Sequence, residues 1–256
     1  MVTTQGNFPE EVEQYKEELQ DILNQYQEES VDGIKGFVGQ LYKQEEDKKA
    51  REDLGEVLEK GIEKIDKRYG HEQSEIIDQM LGINKKEGEK EYKGEQTYQI
   101  ETSYDTIKQM LDKTGPRQEE TFYDLGSGYS RVLITGSLLT DAEYRGIELV
   151  KERVDESKRI RDRLGLENVE IMQGDVKELK AEELSDGDFF YMFKPFSVST
   201  FKEFGKTMEE LAERKDYTVI GGGQSNKWLK VIDTWDFLEE KGKTKDRKLG
   251  FYKASL

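Results

Sequence analysis

Thr121-Phe-Tyr-Asp-Leu-Gly-Ser-Gly-Tyr-Ser-Arg131 is an apolar run that stops at two glycines, Gly126 and Gly128. Phe122, Tyr123 and Leu125 read as a short buried strand, and Val132, Leu133, Ile134, Leu138 and Leu139 continue as a packed helix. A strand that turns through glycines into a helix lets a ligand approach bare backbone beside the positive helix N-terminus. The dinucleotide fingerprint Gly-x-Gly-x-x-Gly fails, because its sixth position is Arg131. Two residues before the first glycine stands Asp124, a charge that needs a partner.

Asp124-Leu-Gly126-Ser127-Gly128 resembles motif I of the class I S-adenosylmethionine-dependent methyltransferases. The resemblance implies that Asp124, Gly126, Ser127 and Gly128 hold the amino-acid end of that cofactor. The family's third glycine falls at Ser130, which reads equally well as an N-cap for the next helix. Taken alone, the stretch also fits a plain tight turn.

Outward from this motif, Tyr144 to Leu149 forms the next strand, with Glu148 at its carboxyl end, 24 residues after Asp124. A carboxylate there can accept hydrogen bonds from both ribose hydroxyls of an adenosyl ligand, and it can equally serve the N-terminus of a helix over residues 150–164. Glu148 matches the family's ribose acid. Val169 to Met172 is a third strand that ends in Gln173-Gly174-Asp175, and Asp175 resembles the acid that faces the adenine. Three acids, each after a strand and separated by helical crossovers, are more specific together than any one alone. Asp188 to Phe193 is a fourth strand, and the resemblance counts Phe193 among the cofactor-binding residues. It runs into Lys194-Pro195-Phe196, where relatives often carry Asn-Pro-Phe or Asn-Pro-Pro-Tyr. A lysine in place of that asparagine sets a cation near a cationic sulfonium, which is unfavourable unless it is solvated or paired.

Phe201 to Leu211 reads as a crossover helix and Tyr217 to Ile220 as a fifth strand, followed by three glycines that serve a turn or a substrate loop. Val231 to Leu238 and Leu249 to Ala254, divided by the charged segment 239–248, read as a terminal antiparallel hairpin. The implied fold is α/β: a doubly wound, seven-stranded methyltransferase sheet ending in that hairpin, preceded by a helical N-terminal domain.

Residues 1–83 carry apolar stripes at helical spacing, among them Val12, Tyr15, Leu19, Ile22 and Tyr26, then Leu54, Val57, Leu58, Ile62 and Ile65. Such helices must pack on one another or on the catalytic body. Residues 84–97 read as a charged linker and 98–256 as the methyltransferase domain. Segment Tyr98 to Tyr104 resembles the one before motif I in bacterial and archaeal methyltransferases, including relatives of the Dot-type lysine methyltransferases. Tyr98, Tyr104 and Tyr191 are thereby candidates for lining the methyl-transfer pocket, although Tyr98 and Tyr104 equally suit packing of a helix onto the sheet. No general base stands out. His71, just after Gly70, suits a surface or capping role.

The formal net charge is −16, and residues 1–95 hold 25 acids against 14 bases. A negative total repels nucleic acid and favours cationic or neutral partners, unless the charge is only a solvated face. The expected acceptor is a basic protein or a small molecule, with no nucleic acid. The acidic front is either a cap facing such a partner or a bundle through which copies associate. With no cysteine and one histidine, a metal site is not expected. No apolar run is long enough to span a bilayer and no signal-peptide pattern begins the chain, so a cytoplasmic location is expected.

Overall fold

The computed structural model describes residues 101–193, 197–222, 227–244 and 249–255, together with positions 52, 55, 56, 58, 59, 62, 74, 77, 78, 81–83, 85, 90–92 and 95–97. The helical stripe over residues 12–26, His71, Tyr98, the Lys194–Phe196 turn and positions 223–226 lie outside the described residues. Within the charged segment read as a linker, β1 (Lys90–Tyr92) pairs antiparallel with β2 (Glu95–Thr97). Charged side chains gave no alternating pattern there, because a two-stranded ribbon is held by backbone pairing and needs no buried face.

Helix α1 (Tyr104–Thr114) leads into the main sheet. The hydroxyl of Ser103 accepts the Thr106 N–H at 3.3 Å to start it, and Gly115, in the left-handed conformation, stops it. The sheet then alternates with helices: β3 (Thr121–Leu125), α2 (Arg131–Leu139), β4 (Glu143–Glu148), α3 (Lys151–Arg163), β5 (Val169–Gln173), β6 (Phe189–Phe193), α4 (Val198–Ala212), β7 (Tyr217–Gly222), α5 (Lys227–Ile232), β8 (Leu238–Lys243) and β9 (Leu249–Ala254). Strand order is β5-β4-β3-β6-β7-β9-β8. The first five pair in parallel, and β9 enters antiparallel between β7 and β8. This is a doubly wound, Rossmann-like sheet with a terminal antiparallel hairpin.

Parallel strands covered on both faces need apolar side chains on both, which explains why Thr121–Leu125 and Phe189–Phe193 are nearly unbroken apolar runs. Alternate residues feed two cores. Phe122, Phe189 and Tyr191 join α1, α2 and α3, whereas Tyr123, Phe190 and Met192 join α4, α5 and Trp235. Leu58, Ile62, Ile77, Leu81 and Ile83 belong to the first of these cores. A side chain at Gly55 would put its Cβ 2.1 Å from the Leu138 carbonyl oxygen, so the front of the chain lies directly on α2. The described positions before residue 84 therefore share the hydrophobic core of the sheet.

The first arm of the terminal hairpin differs from its sequence reading. Residues 227–232 are helical, and the strand is Leu238–Lys243, inside the charged segment taken as the connecting loop. The physical reason is position: β8 is the last strand of the sheet, so its charged side chains can stay in water while its backbone pairs with β9.

Candidate cofactor site at the sheet's switch point

Strand β3 lies between β4 and β6, and the chain proceeds first to one side and then to the other. The crevice at the carboxyl ends of β3 and β6 is thus the topological switch point, where doubly wound sheets bind ligands. The glycine turn sits there. Gly126, Gly128 and Ser130 all have positive φ, at 88°, 57° and 58°. The N–H groups of Gly126 and Ser127 donate to the Ile147 carbonyl at 2.8 and 3.1 Å, pinning the turn to β4. Gly146 makes that approach possible, since a Cβ there would stand 2.8 Å from Ser127 Oγ and 2.4 Å from a Leu133 methyl.

Ser130 occupies the cap position of α2, but its side chain makes no capping hydrogen bond. Its left-handed backbone is the conformation for which glycine is best suited, so the local geometry is that of a third glycine position rather than a serine cap. The buried hydroxyls of Ser127 and Ser130 both lack a hydrogen-bond partner.

Asp124 is the next-to-last residue of β3, Glu148 ends β4, and Asp175 follows β5 by two residues. Asp124 is only 4% exposed, and among the described residues no hydrogen bond reaches its carboxylate. Burial, reinforced by the negative charge of Glu148, pushes its carboxyl up to about 8. Glu148 is placed differently. Its two oxygens accept the N–H groups of Gly128 at 2.8 Å and Val150 at 2.9 Å, and Arg153 lies 3.6 Å away. It braces the glycine turn and the start of α3 together, and Oε2, with one amide bonded, keeps a second acceptor direction. Asp175 accepts the Lys177 N–H at 3.0 Å, and Gly174 donates to the Glu148 carbonyl at 3.0 Å, so the second and third acids share one backbone bridge.

Tyr191 pairs in register with Asp124 on the neighbouring strand, is fully buried, and shares a short hydrogen bond with the Thr102 hydroxyl. Burial holds its phenol well above the ordinary value, so it is a neutral hydroxyl at physiological pH. Phe193 is half-buried and stacks on Tyr191 at 6.3 Å between ring centroids. Tyr104 is also fully buried, but its hydroxyl donates to Asp78 at 2.8 Å and its ring lies under the Arg131 guanidinium. Its hydroxyl is engaged in that cluster.

Sequence reasoning missed Asp78 and misjudged Arg131. The arginine was visible only as the residue that breaks a dinucleotide fingerprint, and nothing local marks an acid 53 residues earlier as its partner.

Among the described residues no group of three or more histidine, aspartate and glutamate side chains could hold a metal ion, and no helix is long and apolar enough to cross a membrane. The residues present fit S-adenosylmethionine: a buried acid without a hydrogen bond, a loop of positive-φ backbone and an acid at the end of the adjacent strand lie together at the switch point. No known family profile matches the sequence, and no curated protein matches it. Among solved structures, the chain is similar to an RNA methyltransferase from Salinibacter ruber in complex with S-adenosyl-L-homocysteine, at 19% identity and TM-score 0.46, over 60% of this chain and 92% of that one. It is similar to precorrin-6y C5,15-methyltransferase from Geobacter metallireducens, at 13% identity and TM-score 0.47, over 62% and 91%. A SAM-dependent methyltransferase from Aquifex aeolicus is a third, at 15% identity and TM-score 0.46, over 59% and 89%. The fold of this chain is established by its own strand order.

Proposed function

We propose that this protein is an S-adenosylmethionine-dependent methyltransferase. The observation that carries the reading is Asp124, a carboxylate buried without a hydrogen bond beside a positive-φ glycine turn at the sheet's switch point. Burying an acid unpaired is costly, and an ammonium group on a ligand would relieve that cost. Asp124, Gly126, Ser127 and Gly128 would hold the amino-acid end of the cofactor, Glu148 the ribose, and Asp175 and Phe193 the adenine side. When bound, the cofactor supplies an electrophilic methyl group, so the protein's part is to orient an acceptor and exclude water. Tyr191, in register with Asp124, contributes a neutral hydroxyl, and Tyr98 is proposed to line the same pocket. Tyr104 fits an anchoring role better than a pocket-lining one, because its hydroxyl is already bonded to Asp78.

The proposed acceptor is an amine on a basic protein. Support comes from the acidic front of the chain, which attracts lysine-rich targets at a rate that salt reduces, and from the likeness of the Tyr98–Tyr104 segment to that of Dot-type relatives. A small-molecule acceptor is the second reading, favoured by Lys194, whose charge opposes a cationic side chain. Calorimetric titration with S-adenosylmethionine, then incubation with labelled cofactor and cell extract at low and high salt, tests both. Binding with label in protein, reduced by salt, is the expected result. Label only in small molecules or nucleic acid defeats the protein-amine reading. Binding without any transfer would make the protein a cofactor-binding regulator, and absence of binding overturns the proposal.

A further inference from the structure

Arg131 is the first residue of α2, where the helix dipole disfavours a cation, and it is 6% exposed. A buried cation at the positive end of a helix needs strong compensation. Its Nε donates to Asp78 Oδ1 at 2.9 Å, Nη1 to the Thr102 carbonyl at 2.8 Å, and Nη2 to Glu101 at 2.7 Å and to the second Asp78 oxygen. Asp78, 4% exposed itself, also receives the Tyr104 hydroxyl and the Lys85 ammonium. One guanidinium thus joins three parts of the chain: the front segment at Asp78, the strap at Glu101 and Thr102, and the glycine turn that ends at Ser130.

The strap carries this connection across to the acid. Thr102, held through its carbonyl by Arg131, bonds through its hydroxyl to Tyr191, and Tyr191 stands in register beside Asp124. Fixing Arg131 therefore fixes both the turn on its own helix and the Thr102–Tyr191 hydroxyl pair. An Arg–carboxylate fork is geometrically exact in a way that a lysine ammonium is not.

We propose that Arg131 is a positioning residue for the cofactor crevice, and that the front of the chain sets the glycine turn through the Asp78–Arg131 fork. The inference rests on the methyltransferase reading only for the identity of the ligand. Arg131 is not itself a ligand contact. Its effect passes through Thr102 and through the first turn of α2.

The test compares the parent chain with Arg131→Lys and Thr102→Val, the second of which leaves the buried ion pair untouched. Two quantities are read: hydrogen exchange of the amides of residues 126–131 in ligand-free protein, and the Kd for S-adenosylhomocysteine. Arg131→Lys is expected to speed exchange in the turn and raise Kd by about tenfold or more, the loss of one charge-assisted interaction. Thr102→Val should raise Kd with little change in Tm. It should also move the pH midpoint of ligand affinity, because Tyr191, which stands in register with Asp124, loses the partner of its hydroxyl. A merely structural role would lower Tm and leave both Kd and that midpoint in place. Unchanged exchange and Kd in both variants overturn the proposal. If the parent binds no S-adenosylhomocysteine, the cofactor reading fails, while exchange in the ligand-free Arg131→Lys turn still decides the positioning role. Should Arg131→Lys fail to fold, the Kd and pH profile of Thr102→Val decide it.

Discussion

Asp124 holds its proton to about pH 8 in the folded chain, whereas an aspartate in the unfolded chain releases it near pH 4. The folded state therefore binds the extra proton between those values, and the acid's contribution to stability falls as pH rises through that window. Asp124→Asn removes the penalty, so its Tm is expected to exceed the parent's by a margin that widens from pH 5 to pH 9 in scanning calorimetry. An equal margin at both pH values would mean that the carboxylate is solvated or paired in the ligand-free protein. Much of this site is legible residue by residue. Asp124, Glu148 and Asp175 stand out because each lies at or just beyond the carboxyl end of a run with buried apolar residues. What Glu148 does is not legible: its bonds to the Gly128 and Val150 amides depend on two turns meeting in space, which no spacing reveals.

At the level of elements, the four connections from β3 to β7, three of them through the helices α2, α3 and α4, follow largely from period, since buried parallel strands and their covering helices leave strong apolar patterns. Patterns fail where burial is absent. Strands β1, β2 and β8 are charged and pair mainly through backbone, and α5, which carries Lys227, Trp228 and Leu229, is a single short helix between a glycine-rich turn and the edge. The front helix meets α2 at Gly55, where backbone lies against the Leu138 carbonyl. Gly55→Ala would force these elements apart, and a loss of about 1–3 kcal/mol is expected, the usual cost of overpacking a close contact. Urea denaturation measures it; an unchanged midpoint would show that the helix can slide without cost.

For the molecule as a whole, Leu58, Ile62, Ile77, Leu81 and Ile83 complete the core on the α1–α2 face, and Arg163 and Arg159 hold the carbonyls of Leu81 and Gly82. Removing residues 1–85 would expose that face and strip Arg131 of Asp78. The truncated chain is expected to aggregate or to lose its cooperative thermal transition, whereas a soluble fragment with the parent's Tm would show that the front folds independently. The opposite flank of the sheet has a different character. Strand β8 presents Glu239, Glu240, Lys241 and Lys243 along its length, and its register with β9 slips between Glu240 and Gly242. A strand of another chain seeking to extend the sheet would meet a kinked, charge-studded margin instead of a straight row of free amides and carbonyls. The same charges that hid this strand in the sequence guard the molecule against growing, copy upon copy, into fibres.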